Sequence, residues 1–259
     1  MTIPARGIPL AGTADSPDDR SAAAHSAAVG FRLSVVIPVF NEAATIETLL
    51  ERVWQTRLAE EVIVVDDGST DGTRDVLLSL AGRPGLKILH HARNRGKGAA
   101  LRSAFPHVTG DAVLIQDADL EYDPADYALL LRPLIEGRAD VVFGTRFGGG
   151  RGAMSRWRYA GNRFLTWLSN RFTGLRLSDM ETGYKAFRRE VLDRLAPGLR
   201  ERGFGIEPEF VARLTAMPGM RIVELPITYR PRRWVEGKKI GWRDGLRAVW
   251  CIVKYGRGG

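Results

Sequence analysis

At 259 residues the chain is long enough to bury one full core with a small appended subdomain. Its 38 lysines and arginines against 30 acids give a formal net charge of +8, which favours anionic partners: nucleic acid, phosphorylated ligands or an anionic membrane surface. No apolar run approaches the roughly 18 residues needed to cross a bilayer, and the single Cys251 excludes an internal disulfide framework and fits a reducing cytosol.

Residues 1–30 are rich in Ala, Ser, Pro, Gly and Asp and lack the apolar core of a signal peptide, so a disordered leader is expected there. From residue 31 onward short apolar strands alternate with amphipathic helices. Strands are expected at Leu33 to Val39, Glu61 to Val65, Lys87 to His90, Ala112 to Ile115 and Asp140 to Gly144. Helices are expected at Ala43 to Thr56, Thr70 to Leu80, Gly98 to Phe105 and Pro124 to Ile135. Strict alternation implies right-handed crossovers and a mainly parallel sheet, whose ligands sit beyond the carboxyl ends of the strands.

Polar clusters fall at those ends. They are Pro38-Val39-Phe40-Asn41-Glu42, then Asp66 to Gly72, Arg93 to Gly98, Gln116 to Glu121, and Thr145-Arg146. The fourth carries acids at alternating positions, Asp117, Asp119 and Glu121, directly after a strand that reads as buried. An unpaired buried carboxylate is expensive to desolvate. An oxygen-rich cluster of this kind suits Mg²⁺ or Mn²⁺, which commonly sit between protein carboxylates and substrate phosphates.

The second half differs. From Arg146 to Arg176 there are seven arginines and no acid, with Trp157, Tyr159, Phe164, Trp167 and Phe172 interleaved, much of it reading as an amphipathic helix. For Trp157, Phe164 and Trp167, core packing is the preferred reading over contact with a lipid tail. Helices are expected at Arg189 to Leu195 and Pro208 to Ala216, and a late strand at Arg221 to Tyr229. The last helix, Trp242 to Tyr255, has an apolar stripe with basic flanks, as an interfacial helix or one docked on the body would.

The ordered set VVIPVFNE, IVVDDGSTDGT, NRGKGAAL, DADLE, FGTRF, SDMETGYKAFRRE, GFGIEPE and EGKKIGWRDGLRAVWCIVKYG resembles family 2 glycosyltransferases of the GT-A type. Within that family the chain looks like the dolichol-phosphate mannose synthases and related polyprenyl-phosphate hexose synthases. The resemblance implies an α/β fold, a GT-A-type Rossmann-like mainly parallel sheet flanked by helices, with C-terminal amphipathic helices. It implies a single domain from 31 to 259, with a nucleotide-sugar half to about 145 and an acceptor half beyond.

The site residues follow from the same resemblance. Pro38, Phe40 and Glu42 match the first nucleotide-binding loop, with Phe40 where tyrosine is common. Val65, Asp67, Lys97, Asp117, Ala118 and Lys185 are implied in the nucleotide-sugar site. Turn formation and helix capping is preferred for Asp66. Asp117, Asp119 and Glu121 are implied as metal acids, with Asp119 and Arg146 catalytic. Arg146, Arg158 and Arg163 are candidates for the acceptor phosphate, because guanidinium forks grip phosphate bidentately. Asp179 and Glu181 suggest a general base, but an ionised lipid phosphate needs none.

The implied activity is a metal-dependent, inverting transfer of a hexose from a nucleotide sugar to a polyprenyl phosphate, with GDP-mannose the first donor and UDP-glucose the alternative. A non-lipid acceptor is a further alternative. The chain ends at Gly259 where many relatives continue into transmembrane helices, so peripheral contact with the cytoplasmic face of a membrane, or a membrane partner subunit, is expected. Two readings from other classes fit less well. A sugar-phosphate nucleotidyltransferase usually needs a Gly-rich basic loop after its first strand, where this chain has PVFNE. A nucleic-acid binder leaves DADLE unexplained, since acids at a binding face repel phosphates.

Overall fold

The computed structural model describes residues 30–148, 154–232 and 242–256. The expected leader, and Lys238 and Lys239 of the EGKKIGW string, lie outside the described residues.

Seven strands form one sheet: β1 (Leu33–Val39), β2 (Ala59–Asp66), β3 (Leu86–His90), β4 (Ala112–Ile115), β5 (Val141–Thr145), β6 (Lys185–Arg188) and β7 (Ile222–Pro226). Their order is β3-β2-β1-β4-β6-β5-β7. All pairings are parallel except those of β6, which runs antiparallel to β4 and β5. The helices are α1 (Ile46–Gln55), α2 (Thr73–Ser79), α3 (Lys97–Ala104), α4 (Tyr127–Ile135), α5 (Arg156–Thr173), α6 (Arg189–Leu195), α7 (Ile206–Thr215) and α8 (Trp242–Gly256).

Both sheet faces are covered, which is why the central strands read as continuous apolar runs. Alternate residues serve opposite faces. Val36, Ile63, Val65, Val113 and Ile115 pack with Phe187, Phe210 and Ile252 on one side. Val35, Ile37, Val62, Val64 and Leu114 pack with Leu49, Val53, Tyr127 and Tyr184 on the other.

The short strand β6 was not anticipated from the pattern. Its reversal has a consequence for the site. Lys185 opens β6 opposite Ile115 and Phe143, near the carboxyl ends of β4 and β5. The preceding loop, Leu177 to Tyr184, is thereby delivered to the same edge as the acidic run.

Helix α1 begins three residues later than expected. The Glu42 carbonyl accepts from Thr45 N and Ile46 N, closing a turn in place of the first helical residues.

Candidate active site

The end of β2 builds the floor. Asp66 is fully buried and accepts from Ser69 N (2.9 Å) and Arg74 Nε (3.2 Å), with His90 Nδ1 at 3.2 Å. Burial opposes its ionisation, but these hydrogen bonds outweigh it and hold its carboxyl below the usual range. Asp66 therefore fixes the turn, as the turn reading of DDGS expects. Asp67 is also buried and grips the loop after β3, accepting from Arg95 N (2.9 Å) and Gly96 N (2.7 Å), with His91 Nδ1 at 2.6 Å. Gly68 makes the packing feasible. Its φ is +75°, and a Cβ there would stand 2.5 Å from the Arg93 carbonyl carbon.

On β1 the loop is tied to its neighbour. Ser69 Oγ accepts from Asn41 N, Thr73 Oγ1 from Glu42 N, and Asn41 Oδ1 from Thr70 N. Pro38 and Phe40 are half-buried at the edge. The Val65 side chain belongs to the core, leaving only its backbone to face a ligand. Ala118 is buried, and its carbonyl accepts from Thr45 Oγ1 at 2.9 Å.

The acidic run meets lysine. Lys97 Nζ lies 2.7 Å from Asp117 Oδ1 and 2.9 Å from Glu207 Oε1. Glu207 is buried, and its other oxygen pairs with Lys185. Burial alone would favour neutral Lys97, but the Asp117 and Glu207 charges raise its pKa above the ordinary lysine value. Lys185 is wholly buried, and its ammonium also donates to the Thr182 carbonyl. It stands beneath the site. Sequence places Lys185 against the donor; the structure sets it back, because β6 carries it into the sheet.

Asp119 is half-buried and accepts from Glu121 N at 3.1 Å. Burial, with the Asp117 and Glu121 charges, pushes its carboxyl up to about 7. Two mutually repelling carboxylates, Asp117 and Asp119, form an oxygen donor set suited to a hard divalent cation that keeps water or substrate phosphate as its other ligands. Among the described residues no group of three or more His, Cys, Asp or Glu converges as a protein cage. The Glu121 carboxylate accepts from Tyr229 Oη (3.2 Å) and Arg232 N (2.9 Å), anchoring the segment after β7 beside the acidic run.

That segment brings in Arg232, which with Arg230, Arg233, Lys238 and Lys239 forms the basic cluster that the resemblance implies as a loop over donor or acceptor. Arg232 donates to Glu42 Oε1 (3.2 Å), Glu42 Oε2 (2.5 Å) and the Asp119 carbonyl (2.7 Å). Glu42 is thereby held among the site loops by a guanidinium.

Arg146 is held chiefly by one partner. Its Nε and Nη2 each donate at 2.7 Å to the Asp179 carboxylate, and its backbone N adds a third bond at 3.1 Å. Asp179 is fully buried and also accepts from Asn162 Nδ2 at 3.1 Å. So clamped, Asp179 orients Arg146 and is not placed as a base. Arg158 and Arg163 lie on α5, where Arg163 Nη1 donates to the Ser178 carbonyl at 3.0 Å. Glu224 on β7 holds that loop by accepting from Ser178 N and Asp179 N. Glu181 has a buried Oε1 without a hydrogen-bond partner. Burial and the Glu207 charge push its carboxyl up to about 7.

The structure thus places Glu42, Asp67, Lys97, Asp117, Ala118, Asp119 and Arg146 along one sheet edge. Sequence reasoning missed Glu207 and Glu224 as working parts. Only the GFGIEPE string carried a signal, for Glu207.

Comparison with known proteins agrees with this geometry. Residues 34–196 match the model of glycosyl transferase family 2. The chain is 37% identical over 200 residues to the glycosyltransferase AglJ of Haloferax volcanii, covering 76% of this chain and 63% of that protein. It is 32% identical over 234 residues to an undecaprenyl-phosphate mannosyltransferase of Micrococcus luteus, covering 87% and 94%. Against an undecaprenyl-phosphate 4-deoxy-4-formamido-L-arabinose transferase of Serratia proteamaculans it is 30% identical over 214 residues, covering 80% and 62%. The chain therefore spans less than two thirds of the first and third of these relatives.

The fold superposes on glucosyl-3-phosphoglycerate synthase of Mycobacterium tuberculosis, solved with Mn²⁺, UDP-glucose and phosphoglyceric acid. The TM-score is 0.72 at 23% identity, over 95% of this chain and 86% of that one. With the family pattern matched across most of the sheet and a relative matched along nearly its whole length, the chain belongs to glycosyl transferase family 2.

Proposed function

We propose that the protein moves a hexose from a nucleotide sugar to a polyprenyl phosphate, with inversion, mannose from GDP-mannose being the first donor to test and glucose from UDP-glucose the second. One observation carries this reading. Asp117 and Asp119 stand just past the carboxyl end of β4, and the acid-free arginine helix α5 is tied to the carboxyl end of β5 by Asp179, which holds Arg146 and Asn162 at once.

In this reading residues up to about 145 hold the donor and those beyond hold the acceptor. Pro38, Phe40, Glu42, Val65 (through its backbone), Asp67 and Ala118 line the nucleotide side. Asp117 and Asp119 would hold Mg²⁺ or Mn²⁺, which when bound would neutralise the donor diphosphate. Lys97 fixes the Asp117 carboxylate. Arg146, set by its fork with Asp179, and Arg158 and Arg163 on α5 offer permanent positive charge to the acceptor phosphate.

A lipid monophosphate has a second pKa near 6 and is already largely ionised at neutral pH. Its oxygen attacks the anomeric carbon as the bond from that carbon to the diphosphate breaks. No proton need be removed, which agrees with Asp179 being occupied. Positioning and charge stabilisation then carry the catalysis. The names of the Micrococcus and Serratia relatives support a polyprenyl-phosphate acceptor. The test is purified protein with Mg²⁺ or Mn²⁺, a panel of labelled nucleotide sugars and a short-chain polyprenyl phosphate. Label should enter the lipid fraction for one donor; none from any donor would refute the reading.

A further inference from the structure

Away from the candidate site, helices α3 and α6 flank a groove of about 530 Å³, the size of a small-molecule pocket. The buried Ala99, Phe105 and Leu192 form its apolar floor. Four arginines line it: Arg95, Arg102, Arg189 and Arg202. The single acid among the lining residues, Asp193, is taken by Arg189 at 2.7 Å. Among the described residues no carboxylate pairs with Arg95, Arg102 or Arg202; Arg102 Nη1 donates to the Arg200 carbonyl at 3.4 Å.

Three guanidinium groups around one groove without a carboxylate repel one another, and a bound anion relieves that repulsion. Phosphate is the anion that guanidinium forks grip best. The apolar floor suits a ring or short hydrocarbon carried on that phosphate.

The groove is wired to the nucleotide loop by two routes. Ser103 lines it, and Ser103 Oγ lies 2.9 Å from His91 Nε2, while His91 Nδ1 lies 2.6 Å from Asp67 Oδ1. A carboxylate only accepts, so Nδ1 donates to Asp67, and in the neutral ring Nε2 accepts from Ser103. Arg95 is the second route, since it lines the groove and its backbone N donates to Asp67 Oδ1 at 2.9 Å. Two residues on, Lys97 holds Asp117. A ligand in the groove therefore touches the loop that positions both Asp67 and Asp117, while using none of the residues assigned above to donor or acceptor.

We infer that this groove is a second ligand site, which takes a phosphate ester with a ring or apolar body and tightens the donor loop when filled. Pinning Arg95 and Ser103 orders the loop beforehand, so less ordering remains to be done when the nucleotide binds. The site stands apart from the sugar-transfer reading; its effect on the donor rests on that reading.

The test uses the full chain in EDTA, without donor, with phenyl phosphate and inorganic phosphate as probes. With histidine rings isotopically labelled, phenyl phosphate should shift the His91 ring signals. Calorimetry should show it binding about tenfold more tightly than inorganic phosphate, through burial of its ring. Arg102 is partly exposed and Arg202 exposed, so R102S/R202S should stay folded by circular dichroism. The double variant should bind phenyl phosphate at least about tenfold more weakly. In the transfer assay at saturating acceptor, phenyl phosphate should lower the donor KM of the parent about fivefold. It should leave that of R102S/R202S unchanged, and without phenyl phosphate the variant should transfer as the parent does.

The inference is overturned if the His91 signals do not move, or if inorganic phosphate binds as tightly as phenyl phosphate. It is also overturned if R102S/R202S binds phenyl phosphate as the parent does, which would put the anion in the donor or acceptor site. An unchanged donor KM in the parent overturns the coupling. Because binding is read in EDTA without donor, its failure is distinct from a failure of sugar transfer.

Discussion

Glu207 Oε1 lies 2.9 Å from Lys97 Nζ, joining helix α7 of the second half to the first residue of α3. Lys97 in turn holds Asp117 Oδ1, and the other oxygen of Glu207 holds Lys185, so four charges alternate in sign through a buried row. A row of this kind carries desolvation costs that only complete pairing offsets, and losing one member leaves its neighbour uncompensated.

Replacing Glu207 by Gln should therefore cost about 3–5 kcal/mol of stability, because two buried ammonium groups lose their shared counter-charge. Denaturant unfolding at neutral pH measures it. If the variant still folds, its donor KM should rise more than its kcat falls, since Asp117 is disturbed only through Lys97. An unchanged unfolding midpoint would contradict the row.

Gly183 lies against that row from the other side. A Cβ at this position would clash with Asp117 Oδ2 and Lys97 Nζ. Gly183→Ala should force the Asp117 carboxylate off its place and lower transfer by at least about tenfold, with a folded circular dichroism spectrum. Activity equal to the parent would show that Asp117 need not sit where the structure puts it.

Arg146→Lys keeps the charge but cannot make both prongs to Asp179. The variant should lose about 2 kcal/mol of stability, and its KM for the acceptor should rise. Thermal unfolding and acceptor titration read these separately. A stability loss without any change in acceptor KM would confine Arg146 to a structural role.

Glu181 gives a pH signature. Its carboxyl is pushed up to about 7 in the fold by burial, then by Glu207. Between the ordinary glutamate value and 7 the unfolded chain gives up this proton while the folded chain keeps it. The contribution of Glu181 thus falls as pH rises through that window and levels off above 7. Glu181→Gln should raise the melting temperature relative to the parent more at pH 8 than at pH 5. An equal difference at the two pH values would contradict the shift.

Much of this was legible beforehand because parallel strands buried on both faces announce themselves as apolar runs, and their ends as polar ones. β1, β4 and the acidic run were placed to the residue. What sequence could not supply was pairing across the fold. Lys185 sits in a string that the resemblance assigns to the donor, and antiparallel β6 turns it inward to Glu207. Asp179 has the chemistry of a base and acquires a clamp's role only when Arg146 and Asn162 arrive from other elements. The aromatics of α5 mislead in the opposite direction. Trp157, Phe164 and Trp167 read as core by type, but the inward side of that helix is taken by polar residues serving the Ser178–Met180 loop.

The most direct measurement is mass spectrometry of the lipid product formed by the parent and by Asp119→Ala under the same conditions. The account predicts a polyprenyl phosphate heavier by one hexose, formed by the parent only when Mg²⁺ or Mn²⁺ is present, and not formed by a correctly folded Asp119→Ala. Equal product from Asp119→Ala, or a hexose found only on a non-phosphate acceptor, would contradict it.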